Sequence, residues 1–420
     1  MGHNKNIFKQ IFVNTLTQYI SKLISIILSF LSVSFLTRYL NADGYGKYTL
    51  IITYLSFFGF IADIGFNMTM VREYAININQ SLKVRATYFS FKLILIIFSL
   101  VLSVVALFFI PYSSALKNAI IIGSVAFSIG NLMTYGTSIL QSQLRLDLVA
   151  YIELFTKIIT VLLIIFFVII KLNLLFIISA ILLGNITGLV LTFYIVRNDI
   201  IFKIYIDKTT LYKLLKISIP IGITSLFSLL YFKIDVFLLS LIKTSTDVGI
   251  YGLATNILDN ILMLWGLIMA SIFPLLSKYY ANKQLFDFNN LLKRTIILLI
   301  ITSVIILVGG NILNYIIMRL LGGSKFFSSM LPFRILLFSV PIFFINNVIY
   351  NIIIVSGKTH YLLFPFISSL VINLLLNLCL IPRYGYIGSS INTIITQLYL
   401  LLIYVLFVIK FFNKKLNNYG

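Results

Sequence analysis

The sequence predicts an all-α polytopic membrane protein with about twelve transmembrane helices, arranged as two six-helix lobes around a central cavity. Two observations carry this prediction. Of the 420 residues, 60% are hydrophobic and only 10% are charged, whereas about 25% of the residues in soluble domains are charged. Seven stretches without any charged residue are each long enough to cross about 30 Å of hydrocarbon. A water-soluble fold is therefore excluded.

The twelve predicted spans fall into two groups. The uncharged spans are 93–116, 118–144, 172–196, 295–318, 335–357, 359–382 and 384–409. Five further apolar segments are interrupted by ionisable residues, and these are about 11–36, 48–71, 150–170, 217–241 and 249–273. The connections between spans are short, which leaves little room for an extramembrane domain.

The chain is strongly basic, with 32 Lys and Arg against 11 Asp and Glu and a net charge of +21. In a membrane protein, basic residues mark the cytoplasmic connections. They concentrate in segments such as 197–216 and 278–294, which lie inside if the N-terminus does. Both termini are therefore expected in the cytoplasm, and the charge gives no reason to expect a nucleic-acid partner.

The longest polar connection lies close to the midpoint of the chain and divides it into two halves. We expect an N-terminal lobe at 1–200, a basic cytoplasmic linker at 201–216 and a C-terminal lobe at 217–420. A Gly-x-Tyr pattern follows the first span of each half, beginning at Gly46 and Gly249. Matched halves of six spans are the arrangement expected of an alternating-access transporter.

Residues suited to catalysis or metal binding are scarce. The one cysteine, Cys379, allows no internal disulfide, and His3 and His360 have no cluster of acidic partners nearby in the sequence. The outer connections are too short to hold the catalytic loop that membrane glycan polymerases commonly need. We therefore expect no enzymatic activity, no metal and no cofactor.

A charged side chain inside a span costs about 2.5–3.5 kcal/mol and therefore indicates a function or a partner. Lys22 lies near the middle of the first span, on one polar stripe with Asn14, Gln18, Ser25 and Ser29. This stripe is expected to face a wet cavity, although a structural ion pair is the alternative.

Four of the other charged residues within the spans are candidates for a functional role. On the seventh span, Asp235 is expected in the interior, while for Lys233 a cavity position and a snorkelling position are equally favoured. Asp63 and Asp259 suit a proton or cation site, or alternatively a buried ion pair with Lys22 or Lys233.

Several stretches of the sequence resemble the polysaccharide exporter branch of the MOP superfamily, which contains the O-antigen (Wzx-type) flippases. They are spread over nearly the whole chain: LTRYL at 36–40, GYGKYTL at 44–50, DIGF at 63–66 followed by Arg72, KID at 233–235, VGIY at 248–251, FPL at 273–275, and the segment from Asn373 through Asn377 to LIPRYG at 380–385.

The resemblance implies a flippase that moves an undecaprenyl-pyrophosphate-linked oligosaccharide across the bacterial inner membrane for surface polysaccharide synthesis. Membrane lipids, a polymerase and chain-length proteins are the implied partners. Lys22 is then the first candidate for contacting the pyrophosphate, and Lys233 and Arg72 are candidates for passing the anion along. An ion gradient that resets the lobes would use Asp63, Asp235 or Asp259.

Two alternative functions remain open from the sequence. One is a MATE-like exporter, against which a mid-depth lysine argues because MATE substrates are often cationic. The other, less favoured, is a membrane glycan polymerase. The sugar composition, the coupling ion, the resting conformation and the oligomeric state do not follow from the sequence.

Overall fold

The computed structural model describes residues 2–76, 81–200, 202–357 and 359–416, and it describes their side chains except at 2–15, 267, 270, 271, 359, 360, 408 and 410–416. Regular structure in these ranges is entirely helical. The α-helices are α1 (Gly2–Ile61), α2 (Phe66–Ile76), α3 (Leu82–Ala106), α4 (Ser114–Ser142), α5 (Leu146–Ile169), α6 (Leu174–Ile195), α7 (Lys208–Ile242), α8 (Ser245–Ala281), α9 (Leu285–Leu321), α10 (Met330–Leu337), α11 (Ser339–Val355) and α12 (Leu363–Leu416). Short 3₁₀ helices occupy Ser324–Ser329 and Thr359–Leu362.

Within the described ranges, ten helical stretches are long and apolar enough to cross a membrane. Two of them, Leu16–Ile61 and Leu363–Phe407, are 46 and 45 residues long, about twice the length that one crossing needs. Each is broken at its centre by a residue in the left-handed region, Asn41 with φ 57° and Gly385 with φ 55°. Each stretch thus supplies two crossings, and the prediction of an all-α protein with about twelve spans is confirmed.

Several span boundaries differ from the prediction, and two of these differences change the surroundings of a charged residue. The second span, predicted over 48–71, ends at Ile61, because Ile64 (φ 40°) and Gly65 (φ 70°) adopt left-handed conformations that stop the helix before α2 begins. The third span begins at Leu82, well before the predicted start at 93, and so includes Lys92. The predicted span excluded Lys92, but this lysine lies within α3 because its charge is compensated inside the helix bundle.

The first compact unit comprises Met1–Leu40 and Lys47–Leu229. Its core forms where α4 packs against α2, α3 and α6, while α5 packs on α6. The closest approach is at two glycines of α6: a Cβ atom on Gly184 would lie 1.9 Å from Thr160 Oγ1, and one on Gly188 would lie 2.1 Å from Thr156 Oγ1. These small residues therefore allow α5 and α6 to pack at short distance.

The second compact unit comprises Asn41–Gly46 and Leu230–Gly420. Here α10 contacts α8, α9 and α12, and α11 packs on α9 and α12. The two glycines of the Gly-x-Tyr repeat pack against each other's turns, since a Cβ atom on Gly46 would lie 1.7 Å from the Ser245 carbonyl oxygen and one on Gly249 would lie 2.0 Å from that of Ala42. The division into lobes at 1–200 and 217–420 with a linker at 201–216 stays a prediction.

Candidate functional site

The first half of α1 has two uncovered faces of opposite character. Its apolar face is exposed along several turns, with Ile27 67% exposed, and consists of Leu16, Ile20, Leu23, Ile24, Ile27 and Leu31. Lys22 is also exposed, but at 3.6 residues per turn it lies about 150° around the helix from the centre of that apolar face. The predicted stripe partners Gln18, Ser25 and Ser29 lie within about 60° of Lys22 on the same basis. This part of α1 therefore exposes a polar face and an apolar face on nearly opposite sides of the helix.

The Lys22 ammonium group is not neutralised at contact distance. Its charge interacts with the carboxyl of Glu153 on α5. No carboxylate oxygen in the described ranges, however, lies within the 4.0 Å salt-bridge distance of its Nζ. Gln18 is exposed and Ser25 and Ser29 are half-buried. The side chain of Asn14, the remaining predicted member of the stripe, lies outside the described residues. An accessible cation with neutral polar neighbours on one face can bind an anionic group.

Lys233 forms an ion pair in the second unit. Its Nζ lies 2.9 Å from Asp259 Oδ2, and the two side chains are 33% and 43% exposed. The sequence had left open whether Asp259 is a partner for a lysine, and the structure supplies that contact between α7 and α8. The pair is partly accessible, so Lys233 offers hydrogen-bond donors but little net charge.

Asp235 lies in the interior of the second unit, as the sequence predicted, with 6% of the residue exposed. Its Oδ2 accepts hydrogen bonds from the Tyr251 hydroxyl at 2.9 Å and from Thr393 Oγ1 at 3.3 Å. Oδ1 is buried and has no hydrogen-bond partner among the described residues. A carboxyl group held by neutral donors, with one oxygen unused, can take up a proton or a small cation.

Asp63 contacts a lysine that the sequence interpretation did not consider. Its Oδ1 lies 3.7 Å from Nζ of Lys92, whose side chain is fully buried. Of the alternatives left open for Asp63, the ion pair is observed, but the partner is Lys92, because the left-handed turn at 64–65 places Asp63 beside α3. Asp63 Oδ1 also accepts the backbone N–H of Asn67 at 3.0 Å and so caps the start of α2.

Lys92 links the end of α1 to α3 and α4. Its ammonium group donates to the carbonyl oxygen of Ala62 at 3.0 Å and to Asn131 Oδ1 at 3.3 Å, and it lies 5.7 Å from the ring centroid of Phe66. A cation at the last carbonyls of a helix is favourable for its dipole. No spacing in the sequence indicated this cluster, because its members come from three separate helices.

A polar cavity adjoins the Lys92 cluster at Asn131 and Ala62. Its empty volume, with its open mouth included, is about 210 Å³. Its hydroxyl groups come from Ser99, Ser103, Ser124 and Ser128. Ser103 and Ser124 hydrogen bond to each other at 2.7 Å, and Ser99 donates to the carbonyl oxygen of Phe58 at 2.5 Å. These two hydrogen bonds join α3 to α1 and to α4, so they support the packing of the three helices around the cavity.

Charged residues also join α2 to the beginning of α7 in the first unit. Arg72 is exposed, whereas the neighbouring Glu73 is 8% exposed and pairs with Lys213. Ahead of α7, Asp207 accepts hydrogen bonds from the hydroxyls of Thr209 and Thr210 and from the Thr210 backbone N–H, and these bonds lower the pKa of Asp207 to about 2. Arg72 is thus an accessible cation on α2, next in sequence to the residue that pairs with α7.

Comparisons with known proteins agree with this architecture. Residues 7–280 match the family described as "Polysaccharide biosynthesis protein", and residues 220–379 match the family described as "MatE". No curated protein sequence matches the chain.

Three solved structures illustrate the shared fold. The lipid II flippase MurJ in an inward closed conformation is 17% identical with a TM-score of 0.77, covering 94% of this chain and 87% of that chain. An inward-facing multidrug resistance MATE family transporter of the MOP superfamily is 13% identical with a TM-score of 0.74, covering 93% and 97%. A Vibrio cholerae MATE transporter is 15% identical with a TM-score of 0.64, covering 96% and 97%.

The structural matches are distant in sequence and establish the fold, whereas the first family match spans more than half of the chain. The chain therefore belongs to the polysaccharide biosynthesis protein family and has the multi-pass membrane fold of the MOP superfamily transporters.

Proposed function

We propose that this protein is a flippase that moves an undecaprenyl-pyrophosphate-linked oligosaccharide repeat unit across the bacterial inner membrane by alternating access. The product would enter the synthesis of O antigen or another surface polysaccharide, together with a polymerase and chain-length proteins. The observation that carries the proposal is the exposed Lys22 on the side of α1 opposite its exposed apolar face. Membership of the polysaccharide biosynthesis protein family supports a role in polysaccharide synthesis. The structurally similar MurJ is itself named a lipid II flippase.

The surroundings of Lys22 follow from the energetics of a charge in hydrocarbon. Lys22 lies near the middle of the apolar stretch between Lys9 and Arg38, where a lysine facing lipid costs about 2.5–3.5 kcal/mol. The apolar face of α1 already supplies a surface for lipid. The opposite face then lies along an aqueous path, where an ammonium group attracts the pyrophosphate of the cargo.

The remaining candidate residues have complementary roles in this proposal. Gln18, Ser25 and Ser29, together with Asn14, would hydrogen bond to the head group beside Lys22. Arg72 would meet the pyrophosphate at the inner end of the pathway, where its planar guanidinium can bind phosphate oxygens in bidentate fashion. Lys233 is already paired with Asp259, so it would act as a hydrogen-bond donor to sugar or phosphate more than as a free charge.

Among the three candidate acids, Asp235 is favoured for coupling transport to an ion gradient. Asp63 and Asp259 each lie within salt-bridge distance of a lysine, so each carboxylate already has a partner of opposite charge. Asp235 is buried, accepts from neutral donors and keeps one oxygen without a partner among the described residues. Binding a proton or cation there would remove a buried negative charge and bias the conformation of the second unit.

The test uses purified protein in proteoliposomes that contain a fluorescent undecaprenyl-pyrophosphate oligosaccharide. Exposure of the sugar to an external quencher or glycosidase reports translocation. Lys22→Ala should abolish translocation, and Lys22→Arg should retain part of it because the positive charge is kept. Lys117→Ala, which removes a lysine near the start of α4, serves as the charge-matched control and should translocate normally. Wild-type translocation by Lys22→Ala at normal protein level would overturn the role of Lys22.

A MATE-like exporter is the second candidate, favoured by the match of 220–379 to MatE and by the MATE-type fold. An accessible lysine on the polar face of α1 is poorly suited to cationic drugs. Cells that express the protein should therefore gain no resistance to such drugs. Resistance that is lost in Asp235→Asn and unchanged in Lys22→Ala would favour the exporter over the flippase.

A further inference from the structure

The lipid-facing side of α6 ends at a sharp change of side-chain type. Along one face the exposed residues are Leu183, Val190 and Tyr194, the last 66% exposed. Arg197 follows on the same face, with its guanidinium carbon 5.1 Å from the Tyr194 ring centroid. Tyrosine and arginine are typical of the level where hydrocarbon meets head groups. This face of α6 therefore reaches the membrane interface at 194–197.

The outer face of α7 shows the same transition in the opposite direction along the chain. Lys208, Tyr212 and Lys216 lie one turn apart and are exposed. They are followed on that face by Ile219 and Ile223, each 44% exposed. The basic and aromatic turns thus precede the apolar ones. This face enters the hydrocarbon near 216–219, so the chain between α6 and α7 runs at interface depth.

The connecting segment 202–207 has no regular secondary structure and is held against α3. The backbone N–H of Tyr205 donates to Ser90 Oγ at 2.9 Å, and that of Asp207 donates to Thr87 Oγ1 at 2.9 Å. The ring of Phe202 also packs edge-on to that of Phe89, with centroids 5.5 Å apart. The segment therefore keeps a fixed position on the first unit.

Apolar and basic side chains alternate along the exposed part of this segment. Ile204 is 81% exposed and Phe202 61% exposed, and Lys203 between them is exposed as well. Within 202–216 the sequence has four lysines and one acid, Asp207. The carboxylate of Asp207 is occupied by Thr209 and Thr210, and Lys213 is paired with Glu73. Lys203, Lys208 and Lys216 are left with no ion pair within the described ranges.

We propose that 202–216 is a binding surface for anionic phospholipid head groups at the inner leaflet. Ile204 and Phe202 would enter the acyl boundary while Lys203, Lys208 and Lys216 contact lipid phosphates, the combination by which interfacial segments bind membranes. This surface is separate from the polar face of Lys22 and does not depend on the identity of the transported cargo.

The lipid contacts are tested by the thermal stability of the full-length protein in nanodiscs. Phosphatidylglycerol mixed into phosphatidylcholine should raise the melting temperature of the wild type, because a ligand of the folded state stabilises it. A K203Q/K208Q/K216Q variant should lose most of that rise, since each lysine near an anionic surface contributes about fivefold in affinity, or about a hundredfold for three. A K278Q/K283Q/K293Q variant carries the same charge change on exposed residues of the second unit and should keep most of the rise.

Equal losses in both triple variants would show general attraction of cations to the membrane and would overturn the site.

The depth of the segment in the membrane gives an independent measurement. A nitroxide on an Ile204→Cys variant, in a Cys379→Ser background, should be more accessible to oxygen than to a water-soluble nickel chelate. A label on Asn282→Cys, in the exposed connection before α9, is the aqueous reference. Equal nickel accessibility at the two sites would place Ile204 in water and contradict the proposal.

Discussion

Replacing Lys92 with methionine is expected to destabilise the first unit strongly. The substitution keeps most of the apolar stem but removes the buried ammonium group. The carbonyl oxygen of Ala62 then loses its 3.0 Å hydrogen bond, Asn131 Oδ1 loses its 3.3 Å contact and the Asp63 carboxylate loses its cation at 3.7 Å. Three polar groups, two in the turn that follows α1 and one on α4, lose one shared partner.

The magnitude follows from these contacts. Breaking a buried ion pair by removing one partner costs about 3–5 kcal/mol. The Asp63 side chain is 30% exposed, so water partly solvates its charge and the lower end of that range, about 3 kcal/mol, applies. For a domain of about 150–250 residues this corresponds to a fall of about 6 °C or more in melting temperature.

The assay is a double-mutant cycle on the thermal stability of purified protein. A Lys92→Met variant should melt well below the wild type, while Lys92→Met combined with Asp63→Asn should recover about 1–2 kcal/mol, because no buried charge is then left without a partner. Asparagine at 63 can still accept the Asn67 backbone N–H and cap α2. A Lys92→Met variant as stable as the wild type, or strictly additive losses, would refute the proposed role of this contact.

Three other predictions concern packing and electrostatics. Gly188→Val should lower stability by about 1–3 kcal/mol through overpacking against Thr156, whereas Gly309→Ala, where an added Cβ meets nothing within 4 Å, should be neutral or slightly stabilising in the same melting assay. Gly249→Ala should likewise be destabilising because its Cβ would lie 2.0 Å from the Ala42 carbonyl oxygen; a normal melting temperature would show that the turn yields easily. Asp207 has a folded-state pKa of about 2, below its ordinary value of 3.8, so its stabilisation is present above pH 4 and is lost as the pH falls from about 4 to about 2. The melting temperatures of the wild type and Asp207→Asn should therefore differ at pH 5 and converge at pH 2, and a gap that persists at pH 2 would contradict this assignment.

The spans were predictable from the sequence because crossing hydrocarbon imposes a long apolar stretch regardless of tertiary contacts. The interior position of Asp235 was also predictable, since a charged side chain that faces hydrocarbon is costly. The polar stripe around Lys22 follows from helical periodicity in the same way, and its environment is the part that the proposed flippase function depends on.

The errors arose where tertiary contacts override local sequence. The third span was predicted to start after Lys92 because the stretch without charged residues begins at Leu93. In the structure its charge is compensated by Asp63, Ala62 and Asn131, which lie far away in the sequence. The second span was predicted too long because the sequence stays largely apolar from Tyr48 to Val71, although the helix ends at Ile61, before the left-handed residues Ile64 and Gly65.

The pairing of Lys233 with Asp259 has a similar explanation. The 26 residues that separate them in sequence place them on different helices, α7 and α8. Helical periodicity describes which residues share a face of one helix, but it carries no information on which faces of two helices meet. The alternatives for Asp259 therefore had to remain open until its neighbours were known.

The central claim is that Lys22 lies in an aqueous path that the anionic cargo occupies. The most direct test measures the reaction of a charged, membrane-impermeant thiol reagent with Lys22→Cys, and with Ile27→Cys on the apolar face, both in a Cys379→Ser background. The account predicts fast labelling at position 22, slow labelling at 27, and protection of position 22 by an undecaprenyl-pyrophosphate oligosaccharide. Labelling at 22 as slow as at 27 would place Lys22 in lipid and contradict the account.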